Sequence, residues 1–133
     1  MKYRASIILI TTLFLIVNYS LGQTKCDTLY DFPDKEASFK NDWSDLLIFF
    51  NDNILELIST TNGLPPTSFK MTLIINDNNE VESIYEILGD YSEKSKNQIL
   101  ETLKKEVGWR SGEINGQKVC SKFYFTIGCI LWN

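Results

Sequence analysis

Apolar residues recur along this chain in two rhythms. Between Ser38 and Ser59, Phe39, Trp43, Leu46, Phe50, Ile54 and Leu57 step by four, three, four, four and three. That spacing lines one face of a helix. Leu47, Phe49 and Ile58 widen the stripe, and Asn62-Gly63 followed by Pro65-Pro66 stops it. The rhythm then changes to alternation. Phe69, Met71, Leu73 and Ile75 share one face of a strand, Asp77-Asn78-Asn79 supplies a turn, and Val81 to Leu88 returns as the second arm of a hairpin. Gly89-Asp90 breaks it. A second helix is predicted from Lys96 to Val107, with Ser95-Lys96-Asn97-Gln98 as its capping box, Ile99, Leu100, Leu103 and Val107 as its buried stripe, and Gly108 as its left-handed stop. Asn115-Gly116 marks a tight turn, and the aromatic, β-branched run Lys118 to Leu131 reads as a last strand. The order helix, strand, strand, helix, strand predicts an α+β fold, with a small antiparallel sheet of about three strands and two helices packed on one face.

The first residues follow neither rhythm. Lys2 and Arg4 precede an apolar run from Ala5 to Val17, and small residues stand at Ser20 and Gly22. The run is shorter than the roughly 20 residues a membrane-spanning helix needs. The pattern is that of a cleavable signal peptide over residues 1–22, leaving residues 23–133 as a single domain exported to the periplasm or secreted. The alternative is an uncleaved anchor extended through Leu21, which would hold the chain in the inner membrane. No Pro-rich or Gly/Ser-rich linker, internal repeat or low-complexity tract follows.

Composition narrows the chemistry. The 133 residues include no His, which removes Ser-His-Asp and Cys-His nucleophile systems and imidazole metal ligands. With 13 Lys+Arg against 17 Asp+Glu, the formal charge is −4, a balance unsuited to tracking nucleic-acid phosphates. Glu80, Glu82 and Glu86 alternate with Val81, Ile84 and Ile87 and read as a solvated strand face, not an acid/base pair. The stretch from Asn76 to Glu82 superficially has the look of a calcium loop, but Val81 stands where an EF-hand needs Gly and Ile87 where it needs Glu. Glycine is too dispersed for a phosphate loop. No catalytic residue, cofactor or metal is expected, so the chain reads as a binding protein and not an enzyme.

Three cysteines, Cys26, Cys120 and Cys129, would all meet an oxidising compartment after export. An odd count allows one disulfide with a free thiol, or an intermolecular bridge. Cys26–Cys120 is a candidate pair that sequence alone does not establish. Cys129 lies in Ile127-Gly128-Cys129-Ile130-Leu131 and reads as a small buried hydrophobe.

The most specified stretch runs from Trp109 to Val119. Trp109 just past a helix stop, then Gly112, then Asn115-Gly116, then Val119, describes a connection in which the indole plugs the gap between helix and sheet while the glycines let the chain reverse. This spacing resembles the signature of the TonB C-terminal domain family, W-x-P-G-x-x-N-G-K-P-V. Asp31-Phe32-Pro33 and Phe39 resemble that family's lead-in and first helix, and Phe50-Asn51-Asp52-Asn53-Ile54 its helix end. Leu73 to Val81 resembles its strand and D-x-x-G-x-V turn. The chain departs at Ser111, where the family has Pro, and at Asn79, where it has Gly. Glu56-Leu57 replaces Tyr-Pro, and Thr126-Ile127 replaces Pro-Ile. With only three prolines, it is similar to the end domain without the family's long shaft.

The resemblance implies recognition of an extended segment of a protein partner, such as an outer-membrane receptor or its peptide, or of a second copy as a homodimer. Strand addition at a sheet edge would be the mechanism. A membrane-anchored energy transducer for outer-membrane transport and a small envelope ligand carrier or enzyme are the competing readings. The last strand is the expected edge, because no following element in sequence covers it. Alternation puts Val119, Ser121, Phe123, Phe125 and Ile127 toward the core, and Lys122, Tyr124, Thr126, Ile130 and Trp132 on the partner-facing side. Lys122 is expected to guard the edge against uncontrolled pairing.

Overall fold

A computed structural model describes residues 26–58 and 68–128. At its centre, β2 (Ser68–Ile75) lies between β3 (Val81–Ile87) and β7 (Ser121–Gly128), antiparallel to both. Among the described residues, two short pairs complete the β structure. β1 (Ser38–Phe39) pairs with β4 (Trp109–Arg110), and β5 (Gly112–Ile114) pairs with β6 (Gln117–Val119). The helices are α1 (Trp43–Asn53), followed by a 3-10 turn at Leu55–Ile58, and α2 (Glu93–Lys105). The chain is therefore a small α+β fold.

Both helices bury their apolar stripes on one face of the sheet. Leu46, Phe49 and Phe50 of α1 and Ile99 and Leu103 of α2 join Phe69, Met71, Leu73, Ile75 and Phe125 in one core. The aromatic centre is Phe50, packed 5.1 Å from both Phe69 and Phe125. Residue alternation along β7 holds as the pattern predicts, with Phe125 at 2% exposure between exposed Tyr124 and Thr126.

The helix starts show how local chemistry beats periodicity. α1 starts at Trp43, not Ser38, because Asp42 caps it. Its extended backbone lets the carboxylate accept from the Ser44 and Asp45 amides at 2.9 and 3.2 Å. Phe39, assigned by spacing to the helical stripe, is buried instead as half of β1, its ring 4.6 Å from Trp109. α2 begins three residues earlier than the capping box implies. Ser92, not Ser95, is the cap and accepts from the Ser95 amide at 3.1 Å, which places Glu93 in the positive first turn. The helix ends at Lys105, so Val107 is 79% exposed and leaves the predicted stripe.

The long last strand is also two. Gln117–Val119 belongs to the β5–β6 hairpin and Ser121–Gly128 to the main sheet, with Cys120 between them. Val119 is thus half-buried in the hairpin and not a core residue of the sheet.

Candidate functional site

The residues singled out between Trp109 and Val119 form the scaffold that sets the start of β7. The Trp109 indole is buried at 4% exposure, lies against Phe39 and Phe123, and donates to the Leu103 carbonyl at 3.1 Å. That carbonyl lies in the last turn of α2, where no backbone amide reaches it, so the indole completes the helix end. Asn115 and Gly116 both have positive φ, 52° and 76°, and close the β5–β6 hairpin as a two-residue turn. Gly112 serves close approach: a Cβ there would lie 2.6 Å from Ser121 Oγ and 2.8 Å from Pro33 Cγ. Through that gap the lead-in crosses toward β7.

Crossing there, the lead-in covers part of the edge that sequence order leaves open. The Tyr30 amide donates to the Cys120 carbonyl at 3.0 Å, and the Lys122 amide donates to the Tyr30 carbonyl at 2.9 Å. A disulfide joins Cys26 to Cys120, with Cα atoms 5.7 Å apart. The expectation of an edge covered by nothing is corrected for Cys120–Lys122: an element that precedes β7 in sequence closes it.

The same bonds fix the polarity of the rest of β7. Because the Lys122 amide points away from β2, the amides and carbonyls of Tyr124 and Thr126, in phase with it, also point outward. The Lys70 carbonyl agrees from the other side, since it accepts from Leu88 at 3.0 Å and so faces β3, while Lys70 stands opposite Thr126. Among the described residues, no backbone group pairs with the outer edge at Tyr124 or Thr126. Ile130, Trp132 and Cys129 of the predicted partner-facing strand lie outside the described residues, as do residues 1–22, Asn62-Gly63 and Pro65-Pro66.

Side chains on the helix-free face of the sheet converge on Asp31. Lys122 Nζ lies 2.7 Å from its carboxylate and 4.1 Å from the Tyr85 ring centroid, and the Tyr124 hydroxyl lies 3.4 Å away. The Lys122 hydrogen bond holds Asp31 below the ordinary carboxylate range, and the same bond raises Lys122. Lys122 is thus engaged within the covered half and does not guard the open one. Phe32 stacks on Tyr124 at 6.2 Å, yet Phe32, Tyr85 and Tyr124 stay 81%, 55% and 47% exposed.

Elsewhere the polar groups are structural. Asn76 Oδ1 accepts from the Asn78 and Glu80 amides and closes the β2–β3 turn, while its Nδ2 donates to Glu82. Two of the positions that depart from the TonB-like pattern touch each other. Ser111 Oγ accepts from the Asn79 amide at 3.0 Å, and the Ser111 amide donates to Asn79 Oδ1 at 2.9 Å.

A small α+β domain with a half-open sheet edge beside an aromatic patch is what the fold and this surface define. Comparison with models of known protein families, with curated proteins and with solved structures finds no match. Among the described residues no helix is long and apolar enough to cross a membrane.

Proposed function

We propose that this chain is an exported, non-catalytic binding module, similar to a TonB C-terminal domain, that accepts an extended segment of a protein partner along the outer edge of β7. The observation carrying the reading is the outward, unpaired backbone at Tyr124 and Thr126 in an edge strand whose first residues are already fixed. A strand added there gains main-chain hydrogen bonds from a rigid template, and Phe32, Tyr85 and Tyr124 offer amphipathic surface beside it. The Cys26–Cys120 bridge supports export, since such a bond persists in oxidising compartments, as does the signal-like segment at residues 1–22.

Thr126→Pro tests the docking edge. The amide it removes faces outward, so the ladder to β2 is untouched, and proline is tolerated on an exposed edge. The variant should retain the wild-type circular dichroism spectrum and lose binding to plug-region peptides of outer-membrane receptors. Folded Thr126→Pro with unchanged peptide binding overturns the assignment. Export is tested separately by sequencing the amino terminus of the mature protein, which should begin at Gln23.

A further inference from the structure

A cavity of about 140 Å³ lies on the helix-facing side of β7, lined by Ala37, Phe39, Trp43, Leu46 and Phe123, with the polar residues Ser38, Asn41 and Asp42 completing the wall. The sheet contributes only Phe123, from the edge strand, and nothing from β2 or β3. The cavity therefore sits at the margin of the three-stranded sheet, between Phe123 of its edge strand and the stretch that runs from β1 into the start of α1. Trp43 forms part of its wall and is 47% exposed although its ring packs 5.2 Å from Phe125.

In an added strand, alternate side chains point to opposite faces. Those on the helix-facing side would come down beside Phe123 and Trp43. An apolar cavity of about 150 Å³ suffices for a benzene-sized group, so the space matches one large side chain and not two.

Charges of both signs stand near it, and the acids are the ones without an ionic partner among the described residues. Asp42 and Asp45 stand at the start of α1, and neither takes part in an ion pair among the described residues. Lys40, the nearest cation in sequence, is held by Glu106 at 2.9 Å, with its ammonium 5.0 Å from the Phe39 ring centroid.

Building on the edge-docking reading, we propose that this cavity is its selectivity pocket. The occupant is one Phe-, Tyr- or Leu-sized side chain of an extended partner peptide, with Lys or Arg two positions away on the same face. The backbone of β7 would then supply affinity for any extended chain, and the cavity with its acidic rim would choose among them.

The probe is the peptide acetyl-Thr-Lys-Val-Phe-Val-Lys-Thr-amide, titrated into the oxidised full-length mature protein and followed by amide and indole NMR shifts. The Trp43 indole and the amides of Tyr124 and Thr126 should move together. Replacing the peptide's Phe by Ala should weaken binding at least about tenfold, or about 1.4 kcal/mol. Ala37→Leu, which fills the cavity, should erase that difference. Asp42→Asn with Asp45→Asn keeps a competent cap and should remove the preference for Lys over Glu in the peptide.

If the Phe and Ala peptides shift the β7 amides with equal affinity, the pocket is overturned while edge docking stands. If no peptide moves the β7 amides at millimolar concentration, both fail. If those amides instead shift with protein concentration alone, a second copy occupies the edge and the peptide proposal is overturned.

Discussion

β7 presents its outer edge in two ways. Over Cys120–Lys122 the edge is closed several times over, by backbone bonds to Tyr30, by the Cys26 disulfide and by the Lys122–Asp31 ion pair. From Tyr124 onward it carries no charged residue and no proline, the usual devices for blunting an exposed strand. The contrast shows what the lead-in accomplishes. It fixes one end of the strand so that the other end is held extended without a neighbour among the described residues. A template for strand addition requires both properties at once, since ordering a loose edge during binding would consume much of the gain.

The comparison can be broken at several points. The most severe is Phe125→Ala, which removes a ring packed on Phe50, Phe69 and Trp43 and should cost about 3–5 kcal/mol in chemical denaturation. Tyr124→Ala, one residue away and facing out, should cost less than about 1 kcal/mol. Equal losses would show that the two faces of β7 are wrongly assigned. Next is the covered end itself. Cys26→Ser with Cys120→Ser should cost about 2–5 kcal/mol. It should also speed hydrogen exchange at the Lys122 amide far more than at Phe125, because only the former depends on the lead-in.

A third variant probes the frame behind that end. Ser111 is 5% exposed, and Ser111→Ala leaves the Asn79 amide without its acceptor and the Asn76 carbonyl without its donor. A loss of about 1–3 kcal/mol is expected. Combined with Asn79→Gly, the losses should be non-additive by at least about 0.5 kcal/mol, since the residues share their bonds.

The smallest effect is electrostatic. Asp31 is lowered by Lys122, so its contribution is present above its unfolded pKa and vanishes as pH falls through its folded one. Lys122 is raised by Asp31, so its contribution is present below its unfolded pKa and vanishes as pH rises through its folded one. The stability difference between wild type and Lys122→Met should therefore be greatest between about pH 4 and pH 10 and shrink at both extremes. High salt should reduce it, because the carboxylate side is half exposed.

The fold was legible in the sequence wherever local rhythm decided it. The hairpin β2–β3 and the inward face of β7 follow from alternation alone, and the bodies of both helices from the three-four spacing. What escaped depends on partners far along the chain. Ser38–Phe39 became a strand only because Trp109–Arg110 offers it a ladder, and no local pattern announces a pair of two-residue strands. The start of α2 escaped for a different reason: Ser92 and Ser95 are equally suited to cap, and Glu93 settles the choice in favour of the earlier one. β7 was legible as a strand from its alternation, and it forms one edge of the three-stranded sheet. The half-closure of that edge by Tyr30 was not legible, because bonds between Tyr30 and Cys120 or Lys122 leave no periodic trace. The cavity beside Phe123 is built from two stretches far apart in sequence, Ala37 to Leu46 and Phe123, and has no signature in either.

The disulfide has a further consequence, which concerns time and not space. Its two cysteines are 94 positions apart, and a ribosome adding about 5–20 residues per second takes roughly 5–20 s to make the second after the first. Throughout that interval Cys26 has no native partner to react with, and once Cys120 emerges, Cys129 follows within about two seconds as a rival. Tyr30 must wait as well, since the strand it closes is made almost last. The covered end of β7 can thus be assembled only when nearly the whole chain has been made, and mispairing with Cys129 is the error that oxidative folding of this chain has to avoid.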